Sequence, residues 1–194
     1  MNWVVILVQL PSEPSRHRVA VWRELRKGGA VPVGAGTWAL PASPVFQPAL
    51  DRASTLCRRG GGTLAVLDTQ PRDDASERVL REAFTAARLD EWTEFSADCG
   101  KFEAQLAEVV ASAKFTLGEL EEQEQSLDRL RRWFRDLRKR DVLQLPEAKA
   151  AGRRLRGCEA LLNEYADRVY EAVRNSHAWT GRGVRKAGQQ DVVA

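Results

Sequence analysis

Between residues 129 and 140 the chain reads RLRRWFRDLRKR, seven basic side chains with Trp133 and Phe134 among them. Guanidinium groups at this density contact phosphates, and each phosphate they neutralise releases bound counterions. Aromatic rings beside them would stack on bases if they faced outward. Their spacing argues the opposite. Leu120, Leu127, Leu130, Trp133, Phe134 and Leu137 fall on one helical stripe, which turns both rings inward. Asp136 lies four residues from Arg132 and from Arg140, and Asp128 lies within a turn of Arg131 and Arg132. Such pairs, each worth about 0.2–0.5 kcal/mol, absorb part of the charge. The cations left for a phosphate-contacting surface are Arg131, Arg135, Arg138 and Lys139, with Arg153 and Arg154 on the next helix. A solvated or intersubunit helix flank accounts for the same residues and is favoured over a phosphate-contacting surface, so the stretch permits DNA binding without demanding it.

A second candidate is SRHR, residues 15–18. A helix start presents free backbone N–H groups, and Arg16, His17 and Arg18 would add donors for an oxyanion held there. The structural alternative has Ser15 capping the helix, Arg18 and Arg23 in ion pairs, and His17 in solvent. Cys57, Cys99 and Cys158 are odd in number and widely spaced, with no CxxC and only two histidines. That pattern argues against a disulfide framework or a zinc site, leaving the cysteines as small buried hydrophobes. No nucleotide fingerprint or flavin motif appears, so neither a cofactor nor enzymatic activity is expected. Gly60-Gly61-Gly62 follows a helix and precedes a strand, the reverse of a phosphate cradle, and reads as a helix stop.

These side chains need elements to position them. With 43% hydrophobic and 29% charged residues, the chain belongs with folded proteins rather than disordered ones. Its net charge of +3 is small but unevenly placed: +5 over residues 1–72, −9 over 73–126 and +7 over 127–194. Blocks of this kind suit a charged partner or halves that pack on each other. The apolar run WVVILV is too short for a signal peptide, and nothing reaches membrane-spanning length, so a cytoplasmic location is expected.

Residues 2–10 predict a buried strand, 16–27 a helix with Val19, Trp22 and Leu25–Arg26 inward, and AVPVGAGTWALP two strands around Gly34–Gly36. Pro44 opens a helix with Phe46, Leu50, Ala53, Leu56 and Cys57 inward, and TLAVLD predicts another buried strand. The order β-α-β-β-α-β is the split, ferredoxin-like pattern. From Asp73 the period is helical. A long helix follows the capping box Asp74–Glu77, with a kink expected at Gly100. A second box, Thr116–Glu119, starts a helix to about Asp141, and a last helix covers residues 147–174 beyond Pro146. The fold class expected is α+β: a ferredoxin-like domain over residues 1–72, a helical domain with a helical hairpin over 73–175, and a mobile tail over 176–194.

The blocks WVVILVQLPSEPSRHRVAVWRELRKGGAV, GTWALP, KFTLGELEEQEQSLDRLRRWFRDLRKRD and RVYEA resemble the N-terminal domain of the chromate-resistance regulator ChrB family, in one register over about residues 3–173. Typical members carry a second, C-terminal chromate-resistance domain, and this chain is read as a stand-alone or shortened member. The resemblance implies a cytoplasmic, chromate-responsive transcriptional regulator or an accessory protein of a chromate-resistance operon. The partners expected of such a regulator are operator DNA, chromate or another oxyanion, and a second copy in a homodimer. The sequence shows no helix-turn-helix that would explain how DNA is held. The front half also resembles small CRISPR-adaptation proteins and the central domain of phenylacetate-operon repressors. The metal-dependent nucleases of the former place an aspartate where Gln9 stands here, and a neutral amide is a poor ligand for a hard cation. The alternative function is a non-enzymatic protein-interaction module without DNA binding.

Overall fold

The β-branched run WVVILVQ forms β1, Trp3–Gln9, an inner strand of a four-stranded antiparallel sheet. This structure, a computed structural model, describes the backbone of residues 1–183 and the side chains of residues 1–175. Strands β2 (Val31–Gly34), β3 (Thr37–Pro41) and β4 (Thr63–Thr69) complete the sheet in the order β2-β3-β1-β4. Ile6 of β1 lies opposite Trp38 on one side and Val66 on the other, which fixes the register of the inner face. Helices α1 (Ser15–Gly28) and α2 (Gln47–Arg59) alternate with the strands, α2 being preceded by a 3₁₀ turn at Pro44–Phe46. Three long helices follow: α3 (Asp74–Ala111), α4 (Leu117–Arg140) and α5 (Pro146–Gly183). The protein is therefore mixed, a small antiparallel sheet near the N-terminus followed by helices.

The chain divides into two compact units, each drawn from two stretches: Met1–Thr93 with Arg135–Ala148, and Glu94–Phe134 with Lys149 onward. The first unit buries Trp3, Val4 and Ile6 of β1, Trp38 and Leu40 of β3, Val21 and Leu25 of α1, and Leu50, Ala53 and Cys57 of α2. Phe84 of α3 joins this core edge-on to both Trp3 and Phe46, and each such fully buried side chain contributes roughly 1.5–3 kcal/mol. Gly28 lies so close to Ala49 that a side chain there would collide with it, setting the α1–α2 approach. Gly29 adopts φ 98°, and the Gly29 and Ala30 amides close α1 on the Arg26 and Leu25 carbonyls, the left-handed stop that glycine makes cheaply.

Several local expectations need correction. The inward stripe of α1 is Val21 and Leu25; Val19 and Trp22 face solvent, with the Arg26 guanidinium 5.2 Å over the Trp22 ring. An indole can stay wet when a cation covers its face. Strand β4 is not buried: Val66 is 44% and Leu67 49% exposed, because β4 is an edge of the sheet. Ser15 is the first residue inside α1 rather than its cap; Pro14 holds the N-cap position, without a side-chain hydrogen bond. At α3 the capping side chain is Asp73, whose Oδ1 accepts from the Ser76 amide at 2.8 Å. Helix α3 runs through Gly100 without interruption, and α5 continues past Asn175 to Gly183. Of the expected tail, residues 184–194 lie outside the described residues.

Candidate functional site

The end of α4, within the first unit, is anchored from beneath. Leu137 is buried, and Arg140 Nη1 donates to the Lys27 carbonyl at 2.8 Å. Arg140 Nη2 also stands 3.4 Å from Glu91 Oε1. Arg88, 3% exposed, donates through Nη1 to the Gly29 carbonyl at 2.9 Å and through Nη2 to Glu91 Oε1 at 3.1 Å. Its Nε stands 2.9 Å from Glu91 Oε2 at an angle unsuited to a hydrogen bond, so that contact is ionic. Two guanidinium groups thus meet the carbonyl end of α1, the end where positive charge is favoured. Arg140 is committed to this anchorage through both terminal nitrogens, its buried Nε making no hydrogen bond, and its expected pairing with Asp136 does not form. Asp136 instead lies 3.6 Å from Lys139.

With the helix end held, Arg135 and Arg138 project into solvent and make no ion pair among the described residues. Lys139 is exposed beside Asp136. The 3.6 Å separation and the exposure of both partners make that pair weak.

In the second unit the basic residues fare differently. Arg131 Nε donates to Glu159 Oε1 at 2.8 Å, and its Nη1 to Asp128 Oδ1 at 3.1 Å. Arg154 Nη2 donates to Glu103 Oε2 at 2.8 Å. These hydrogen bonds hold both guanidinium groups in their charged form more firmly than usual. Arg153 is exposed and makes no ion pair among the described residues. Trp133 and Phe134 are half-buried, their rings 5.4 Å and 5.5 Å from the Phe95 ring, so neither is a bare stacking platform. Of the six residues expected to contact phosphate, Arg131 and Arg154 are engaged by carboxylates, Lys139 is weakly paired with Asp136, and Arg135, Arg138 and Arg153 are open.

The SRHR segment lies on the first unit. Arg16 and Arg18 are exposed, and Arg16 Nε is 3.5 Å from His17 Nε2. His17 is half-buried against Gly60, where an added side chain would strike the imidazole. Arg18 borders a cleft of about 350 Å³ whose other walls include Val8, Leu10, Trp22 and Trp38. With no side-chain cap on α1, the first-turn amides stand beside these donors. The three residues therefore share one helix start, although Arg18 borders an apolar wall rather than a polar cup.

One juxtaposition escaped the sequence reading. Cys99 on α3 and Cys158 on α5, both fully buried in the second unit, come together although 59 residues separate them. The Cys158 thiol lies 3.8 Å from the Cys99 carbonyl oxygen and 3.7 Å from Glu103 Oε1. Spacing alone carries no signal for this, because the two helices are distant in the chain. Among the described residues, no group of three or more His, Cys, Asp or Glu side chains is arranged to hold a metal ion. No helix there is long and apolar enough to cross a membrane.

The chain matches the family described as Protein ChrB, N-terminal, over residues 18–176. Protein ChrB of Cupriavidus metallidurans is 27% identical over 122 residues, covering 63% of this chain and 34% of the relative. The match thus spans about a third of that relative's length.

Proposed function

The chain belongs to the family of ChrB N-terminal domains, and from that premise we propose that it serves chromate resistance as a cytoplasmic, non-enzymatic regulator that holds DNA through α4. The observation that carries DNA binding is the exposure of Arg135 and Arg138 on the last turns of α4, with the buried Leu137 fixing the helix beneath them. Solvated guanidinium groups without a carboxylate to displace bind phosphate at little desolvation cost, and the counterions they release favour the complex. Lys139, weakly paired, adds to the same flank. Arg153 is a further open cation, on α5, whereas Arg131 and Arg154 would first have to leave Glu159 and Glu103.

The sheet is assigned to the ferredoxin-like class. The succession βαββαβ and the order β2-β3-β1-β4, with β1 antiparallel to both neighbours, support this assignment. A second copy would add at β4. The outer edge of that strand is unpaired, its only charged residue is Asp68, and Val66 and Leu67 are exposed. Antiparallel pairing about Val66 would set Ala65 against Leu67 and bring no like charges together, and an unprotected edge of this kind recruits another strand. Chromate or another tetrahedral oxyanion is assigned to the start of α1, where Arg16, His17 and Arg18 stand at a helix start that no side chain caps.

The test is retention of DNA from upstream of the chain's own gene, followed by fluorescence anisotropy between about 50 and 200 mM salt. Affinity should fall steeply with salt. Absent or salt-insensitive binding would overturn the proposal. It would favour a second reading that the exposed β4 edge also supports, an interaction module that works through protein contacts alone.

A further inference from the structure

We propose that Cys99 and Cys158 form an oxidation-sensitive dithiol that a peroxide converts reversibly to a disulfide joining α3 to α5. The inference rests on the second unit alone and is independent of DNA binding.

Three observations carry it. The Cys158 thiol lies 3.8 Å from the Cys99 carbonyl and 3.7 Å from a carboxylate oxygen of Glu103. The Arg154 guanidinium, paired to Glu103 at 2.8 Å, packs over Gly100, where a side chain would meet its Nη2. Glu103 also lines a cleft of about 370 Å³ with Leu106, Leu161 and Tyr165. The Cys158 thiol, in contact with Glu103, therefore sits one side chain in from a cleft that admits a small oxidant, with the Cys99 backbone against it. Ordinary core cysteines have neither a second thiol nor a charged pair beside them. Cys57, equally buried, packs in the apolar core of the first unit, and among the described residues its thiol hydrogen-bonds to the Gln9 carbonyl at 3.9 Å and to no second thiol.

The surroundings also divide the roles. A hydrogen bond from Cys158 and, more weakly, the charge of Arg154 draw the Cys99 thiol below its ordinary range, despite its burial. The same contact and desolvation push the Cys158 thiol up. Cys99 is thus the attacking sulfur and Cys158 the resolving one. In the first step the Cys99 sulfur bonds to one peroxide oxygen and the O–O bond breaks. The departing hydroxide takes the Cys99 proton and leaves as water. In the second step the Cys158 proton passes to Glu103, and the Cys158 sulfur attacks the Cys99 sulfur. The S–S bond forms, the S–O bond breaks, and the released hydroxide recovers the proton as a second water. Two thiols give up two electrons and hydrogen peroxide accepts them.

The test uses the reduced full chain, exposed to hydrogen peroxide, then denatured and titrated for thiols. Two of the three thiols should be lost, Cys57 should survive, and a dithiol reductant should restore both. Peptide mapping should join the segments holding Cys99 and Cys158 within one chain. In Cys158→Ser, dimedone should capture a sulfenic acid at Cys99 and no cross-link should form; Glu103→Gln should slow the cross-link. Survival of all three thiols in the wild-type protein would overturn the proposal, as would a cross-link between chains or loss of Cys57 at the same rate. The wild-type mapping decides the matter even if a variant fails to fold.

Discussion

Arg88 donates to the carbonyl of Gly29 at 2.9 Å from a guanidinium that is almost wholly buried. One side chain of α3 thereby closes the end of α1, while Glu91 compensates its charge. Arg88→Ala would leave the Gly29 carbonyl without this donor and Glu91 without its main partner. The expected loss is about 3–5 kcal/mol, the usual result of breaking a buried pair from one side. Urea unfolding should show it as a lower midpoint, and Arg88→Met with Glu91→Met should recover part of the loss.

Asp141 works on the α4–α5 connection. Buried at 6% exposure, its carboxylate accepts from the Leu145 amide at 3.2 Å and 3.1 Å. Asp141→Ala should cost roughly 1–3 kcal/mol by leaving that donor unpaired. Gln144, in the same connection, holds φ 56°. Gln144→Gly should be neutral or raise stability by less than about 1 kcal/mol, since relief of left-handed strain offsets the entropy of glycine. Thermal unfolding of the two variants checks both signs.

Tyr165 donates its phenolic hydrogen to the Lys114 carbonyl and packs against the Phe115 ring. Desolvation, and then the charge of Glu119, push its pKa above the ordinary value of 10.0. An acid whose folded pKa is raised contributes stability that is complete below the unfolded value and is lost as pH climbs through the folded one. Wild-type stability should therefore decline above pH 10.0, in excess of any general alkaline loss. Tyr165→Phe should lack that excess while losing about 0.5–1.5 kcal/mol at neutral pH. Denaturant midpoints on either side of that pH compare the two proteins.

The β4 edge gives a prediction about assembly. Leu67→Lys places a charge on an exposed strand that offers a copy of itself almost no repulsion. Sedimentation should show dimer for the wild type and monomer for Leu67→Lys, with unchanged circular dichroism. A variant that sediments as the wild type does would remove β4 as the interface.

The mixed class and the element order were legible in the sequence because the strands, α1 and α2 are short and stopped by proline or glycine, while the long helices beyond Asp73 carry a helical apolar period. The α2 core positions and the Thr116 cap of α4 follow from spacing, and the Glu119 amide does donate to Thr116 Oγ1 at 3.2 Å. Helix α1 was misphased because Trp22 is apolar by composition, yet it is sheltered by Arg26 rather than by the core. The apolar run of β4 looks like an inner strand, and nothing local marks it as an edge. Arg131 does pair with Asp128 as its spacing allows, but the Glu159 carboxylate it also meets and the partners of Arg140 and Arg154 lie on other helices. Local charge spacing could not reveal them, nor the meeting of Cys99 with Cys158. Residue type locates the open cations of α4, and only packing separates them from the engaged ones.

The most direct test of the regulatory account compares the salt dependence of DNA affinity in the wild type and in Arg135→Gln with Arg138→Gln. Two lost phosphate contacts should weaken binding and lower the log–log salt slope by about 2, with folding unchanged. An unaltered slope and affinity in the folded double variant would contradict the assignment of α4 as the DNA-holding surface.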